Sequence, residues 1–128
     1  MSCTIQTEHK SLELIILEES FSVCKIKDTC EVDFTRPFVF LSKTDEEISL
    51  VCESEHVPPN VIVEEPNWRA FRVAGTLDFG LIGIIASITS VLAEADISVF
   101  VISTYDTDYV LLKSHNFEQA ISLLVKKA

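Results

Sequence analysis

The sequence predicts an α+β fold in which two helices lie on one face of an antiparallel sheet. Three observations carry this. The second half holds two stripes of apolar residues at helical spacing. Short apolar or alternating runs of strand length recur along the whole chain. A cluster of three prolines separates the two halves. At 48% hydrophobic and 23% charged, the chain of 128 residues has enough apolar material for a packed core and is not disordered by composition.

Leu12 to Leu17 reads as a strand, and Phe21 to Ile26, which alternates apolar and polar, as a second. Phe38 to Leu41 and Ile48 to Cys52 flank the turn residues Thr44-Asp45-Glu46 and read as a hairpin. Ser54 to Asn67 carries Pro58, Pro59 and Pro66, so it reads as an irregular joint, with Val61 to Val63 as a short edge strand. Trp68 to Val73 is the next strand. Asp78 then suits an N-cap, its carboxylate accepting a backbone N–H of the first turn. The helix expected over 79–95 presents Leu81, Ile84, Ile85, Ile88, Val91, Leu92 and Ala95 as one stripe and ends at Asp96. Ile97 to Ser103 is almost wholly apolar, as in a central strand buried on both faces. Thr104-Tyr105-Asp106 turns the chain into a partner strand, Tyr109 to Lys113. Asn116, with Gln119 three residues on, predicts a capping box for a last helix over 117–126.

The second half therefore reads β-α-β-β-α and lacks one strand of a split βαβ sheet. The strand at Leu12 to Leu17 is the expected donor. The organisation read from the sequence is a flexible arm at 1–10, a first half at 11–67 and a second half at 68–128.

Two places carry candidate chemistry. Around Asp78, Phe79, Gly80, Leu81 and Gly83 the start of a helix offers free N–H groups and its positive dipole end, a seat for a carboxylate. Gly80 and Gly83 each cost a helix about 1 kcal/mol relative to Ala. Two readings account for them: close approach by a ligand or second chain, or close packing of helix on sheet. The second place is the turn with Thr104, Tyr105, Asp106 and Asp108, which supplies a hydroxyl, an aromatic face and two carboxylates. A carboxylate opposite a helix start suits both ends of an α-amino acid. The same residues also make an ordinary polar turn.

The strings Trp68-Arg69, Gly75-Thr-Leu-Asp-Phe79, Gly83-Ile-Ile-Ala-Ser87, Leu92 to Phe100 and Ser103 to Tyr109 resemble the ACT family of amino-acid-sensing regulatory domains. Within it the resemblance is to the stand-alone tandem subgroup related to the ACT modules of aspartate kinase and to cytosolic arginine sensors. Phe40 to Ser49 matches the first-half hairpin of that subgroup. The resemblance implies a ferredoxin-like ACT fold in two interlocked halves, assembly as a homodimer, and a site for an amino acid or similar small molecule at an interface between modules. It places Thr104, Tyr105 and Asp108 where the family contacts its ligand. The first half departs from the pattern in lacking a long first helix.

Composition and motifs exclude other classes. The net charge is −10, with −9 of it in residues 1–67, so a polyanion such as DNA or RNA would be repelled. No apolar run is long enough for a membrane span, and Met1 to Lys10 has no signal-peptide pattern, which leads us to expect a cytoplasmic protein. Cys3, Cys24, Cys30 and Cys52 form no metal-ligand spacing and read as free thiols. His9, His56 and His115 have no nucleophile nearby in sequence, and no phosphate-binding loop is present. We therefore expect neither an enzyme nor a cofactor.

Overall fold

The computed structural model describes residues 2–6, 11–73 and 83–127. The described elements are β1 (Ser2–Gln6), β2 (Ser11–Ile16), β3 (Phe21–Ile26), β4 (Val39–Lys43), β5 (Ile48–Glu53), a 3-10 turn (Ser54–His56), β6 (Val61–Val73), α1 (Ile84–Glu94), β7 (Phe100–Ser103), β8 (Asp108–Lys113) and α2 (Ser114–Lys127). Contacts group the chain into two units, Met1–Glu18 with Arg69–Ala128, and Glu19–Trp68. β6 serves both, because residues 61–68 pair with β3 and residues 71–73 with β2.

In the first unit β2, from the start of the chain, pairs antiparallel with β6 in the register Leu14↔Val73, Ile15↔Arg72, Ile16↔Phe71. β8 pairs with both β6 and β7. The strand missing from the second half is thus supplied by the first. Arg69 strengthens the join: its Nη2 donates to the Leu17 carbonyl at 3.1 Å, and its guanidinium lies 4.7 Å from the centre of the Phe117 ring. Residues 2–6, within the span expected as an arm, form β1 against β2.

Both helices share one core. Ile84, Ile88 and Leu92 of α1 and Phe117, Ala120 and Leu124 of α2 are buried with Leu14, Phe71, Val73, Val110 and Leu112. Phe71 and Val73, like Val110 and Leu112, are two residues apart on their strands and so point to one face. The helices therefore lie on the same side of the sheet, as the stripes predict. Asp96 ends α1 in the left-handed region at φ 59, a conformation Asp tolerates better than most residues.

Three expectations change. First, α2 begins at Ser114, directly after β8, so Asn116 lies in its first turn and not at its cap. Second, β7 covers only Phe100–Ser103, and its side chains are half-buried or exposed. Among the described residues its strand partner is β8, so it stands at an edge of the described sheet in spite of its apolar composition. Third, Pro66 does not break the chain but sits inside β6. Between the pairs Phe21↔Trp68 and Val23↔Glu65, β6 carries one residue more than β3, a bulge in which Asn67 takes φ 71. A bulge tolerates a residue with no N–H to donate. The expected helix start at Asp78 to Leu81 lies outside the described residues.

In the second unit the strand order is β6-β3-β5-β4. Cys24, Ile26, Leu50 and Cys52 form its core with Val32, Val39, Ile48, Val57 and Val61 against them. Glu53 is buried and paired with Arg36, Oε1 to Nη2 at 3.0 Å. The buried Ser22 hydroxyl donates to Glu64 Oε2 at 2.8 Å and shares a hydrogen bond with the Ser54 hydroxyl. Cys24 and Cys52 are free thiols in contact. The hydrogen bond to Cys52, and then burial, push the Cys24 thiol far up, so it stays protonated.

Candidate functional site

The turn joining β7 to β8 is held by four hydrogen bonds. The Thr104 amide donates to the Thr107 carbonyl at 2.8 Å, and the Thr104 hydroxyl donates to the same oxygen at 3.0 Å. The Ser103 hydroxyl donates to Asp108 Oδ1 at 2.5 Å, which ties the two strand ends together. The Thr107 hydroxyl donates to the Val73 carbonyl at 2.6 Å. Val73 ends β6, and the segment 74–83 leads from it into α1. The turn is therefore tied to the end of β6.

The tethers decide what the turn presents. Tyr105 is 98% exposed, and Asp106 is exposed and makes no hydrogen bond or ion pair among the described residues. Asp108 is half-buried, with one oxygen taken by Ser103. Next to it, Tyr109 accepts at its hydroxyl from Arg72 Nη1 at 3.5 Å, with the guanidinium 6.0 Å from the ring centre. The sequence reading picked out Thr104, Tyr105, Asp106 and Asp108 but missed Ser103 and Thr107, which fix their geometry. The signal available was hydroxyl residues before and between the turn acids, which suit side-chain hydrogen bonding within a turn.

Gly83 is the N-cap of α1, at φ 88 and ψ 8, and no side chain caps the helix there. A Cβ built on Gly83 would meet nothing within 4 Å among the described residues. Its left-handed backbone is the conformation that favours glycine. Asp78, Phe79, Gly80 and Leu81 lie outside the described residues. No group of three His, Cys, Asp or Glu able to hold a metal occurs among the described residues. No described helix is long and apolar enough to cross a membrane.

The hairpin of the second unit is built like that of the first. Phe40 pairs with Val51 as Phe100 pairs with Leu111. Each hairpin closes through a four-residue turn opened by threonine, with Thr44 N donating to Glu47 O at 2.9 Å. The third residue of each turn is acidic, Glu46 in one and Asp106 in the other.

Two helices on one face of an antiparallel sheet whose strands come from both ends of the chain define a small α+β domain. The sequence model of the ACT domain family matches residues 63–126, half of the chain, and the chain belongs to that family. The chain is 30% identical over 98 residues to the cytosolic arginine sensor for mTORC1 subunit 1 of Rattus norvegicus, covering 71% of this chain and 30% of the sensor. With the Homo sapiens sensor it shares 32% over 87 residues. It spans under a third of the length of these curated relatives. Among solved structures, protein Atu0741 from Agrobacterium tumefaciens matches with TM-score 0.79 and 31% identity, over 89% of this chain and 87% of that one. The regulatory subunit of aspartate kinase from Thermus thermophilus shares the fold at TM-score 0.62 and 6% identity, over 89% of this chain and 95% of that one.

Proposed function

We propose that this protein is a regulatory module without catalytic activity that binds an amino acid between the start of its first helix and the turn after β7. The ligand's carboxylate faces the backbone N–H groups of the segment around Asp78, Phe79, Gly80, Leu81 and Gly83. Its ammonium or cationic side chain faces Asp106 and Asp108, with Thr104 and Tyr105 beside it. The observation that carries the reading is the tethered turn. Four hydrogen bonds hold it rigid, yet it leaves the Tyr105 ring and the Asp106 carboxylate in solvent. Groups fixed in advance lose little entropy when a ligand arrives. Membership in the ACT family and likeness to proteins named as an arginine sensor and a regulatory subunit support it further.

The same reading includes a cytoplasmic location, two ACT-like halves (11–67 and 68–128), and a homodimer that covers the half-exposed apolar edge strand Phe100–Ser103. A thermal-shift screen over the common amino acids tests the ligand. A specific ligand at a hundredfold excess over its Kd adds about 2.7 kcal/mol of stability. Calorimetry then compares the parent with Asp106→Asn and Asp108→Asn. Removing a carboxylate that holds the cation weakens binding by about 1.5–3 kcal/mol. Unchanged affinity in both variants refutes the placement.

A further inference from the structure

The sheet of the first unit has a second face, turned away from the helices. Leu14, Val73, Val101 and Val110 pack toward the helices. Their chain neighbours Ile15, Arg72, Ile102 and Tyr109 therefore point the other way. These four form a row across four strands. Ile15 pairs with Arg72, Ile102 pairs with Tyr109, and the Arg72 guanidinium lies 6.0 Å from the centre of the Tyr109 ring. All four are half-buried.

Arg72 is one of ten basic residues against twenty acidic ones. Among the described residues it pairs with no carboxylate, and its hydrogen bond goes to the Tyr109 hydroxyl. Glu13 stands diagonally from it, two residues along β2 from Ile15 and on the same face. The guanidinium leans the other way, onto β8, and the exposed Glu13 has no ion pair among the described residues. One cation and one anion side by side on a face are self-complementary under a two-fold axis, which makes each contact twice. A net charge of −10 drives copies apart, but −9 of it lies in residues 1–67. Two copies therefore approach at least cost over residues 68–128, which supply three of the four strands in this row.

We infer that a second copy of the chain packs on this face, with Arg72 of each protomer on Glu13 of the partner subunit and with Ile15 and Tyr109 beside the pair. The contact presupposes the proposed homodimer and gives it a surface, since Phe100 and Ile102 of the edge strand project from the same face. An arginine and a carboxylate meeting there form two parallel hydrogen bonds and fix how the copies are turned.

Charge reversal tests the contact, read by light scattering at high micromolar concentration. Arg72→Glu alone and Glu13→Arg alone each set like charges opposite one another twice, and each should weaken association about tenfold or more. An equimolar mixture of the two variants should recover it, because the heterodimer matches both pairs. A pair closed within one chain gives no such recovery. Melting at low micromolar concentration, where the monomer prevails, shows whether each variant is folded. Should Arg72→Glu not fold, Arg72→Gln takes its place, and unchanged association then overturns the contact. A parent dimer that neither reversal weakens, or a mixture that does not recover, overturns this surface and leaves the homodimer standing. A parent that is monomeric at high micromolar concentration overturns both, while the amino-acid site, read by thermal shift, is untouched.

Discussion

Leu14→Ala tests whether β2, from the start of the chain, is a true member of the core under both helices. Leu14 is 0% exposed and pairs with Val73 across the β2–β6 ladder. It packs in the cluster that holds Ile88, Leu92 and Leu124. The substitution removes three carbons, each worth about 0.8 kcal/mol of transfer free energy, or about 2.4 kcal/mol in all. The site is walled by a sheet and two helices and collapses only in part, so a cavity term of about 1 kcal/mol adds to this. The expected loss is about 3.5 kcal/mol, a fall in melting temperature of roughly 13 °C for a chain of this size. Glu13→Ala, exposed on the same strand, serves as the control and stays within about 0.5 kcal/mol of the parent. Urea denaturation followed by circular dichroism measures both. A Leu14→Ala loss below about 1 kcal/mol, with the parent slope retained, would mean that β2 does not complete the core and that the sheet is closed in some other way.

A chain beginning at Trp68 lacks β2, leaves β6 with an unpaired edge, and should aggregate or give no cooperative melt; a sharp monomeric transition would contradict this. Thr107→Val removes the bond to the Val73 carbonyl and should cost about 1 kcal/mol, with faster amide exchange at 104–107 as the local readout. Under native conditions an alkylating reagent should label the exposed Cys30 and spare Cys24 and Cys52, which react only after denaturation, as peptide mapping would reveal. The Thr35 hydroxyl and amide hold the Asp33 carboxyl below its ordinary range. A depressed carboxylate stabilises fully above its unfolded pKa, about 3.9, and loses that contribution as pH falls through the lower folded value. Asp33→Asn should therefore flatten the decline of melting temperature below about pH 4, and an unchanged acid limb would refute the assignment.

The sequence by itself determined the elements whose period is strong. Ile84, Ile88 and Leu92 recur every four residues, and the buried face of α1 follows that stripe. Phe21 to Ile26 alternates, and it is a strand with those bounds. The turn at 104–107 was legible because Thr and Asp favour bonding to nearby backbone. Local pattern also implied a missing strand, since the second half holds one strand too few for its sheet.

Other features depended on contacts far along the chain. Pro66 looked like a breaker, because the local sequence shows no sign of the bulge against β3 that accommodates it within β6. Ile97 to Ser103 looked like a central strand, because apolar composition reports a preference for burial and not the position in the sheet that grants it. Thr107 looked like one more polar turn residue until the end of β6, 34 positions away, brought the Val73 carbonyl to it. Period and propensity act within a turn or two of chain, whereas register, edges and grooves are set by which distant segments share a core. Only the tertiary structure decides that.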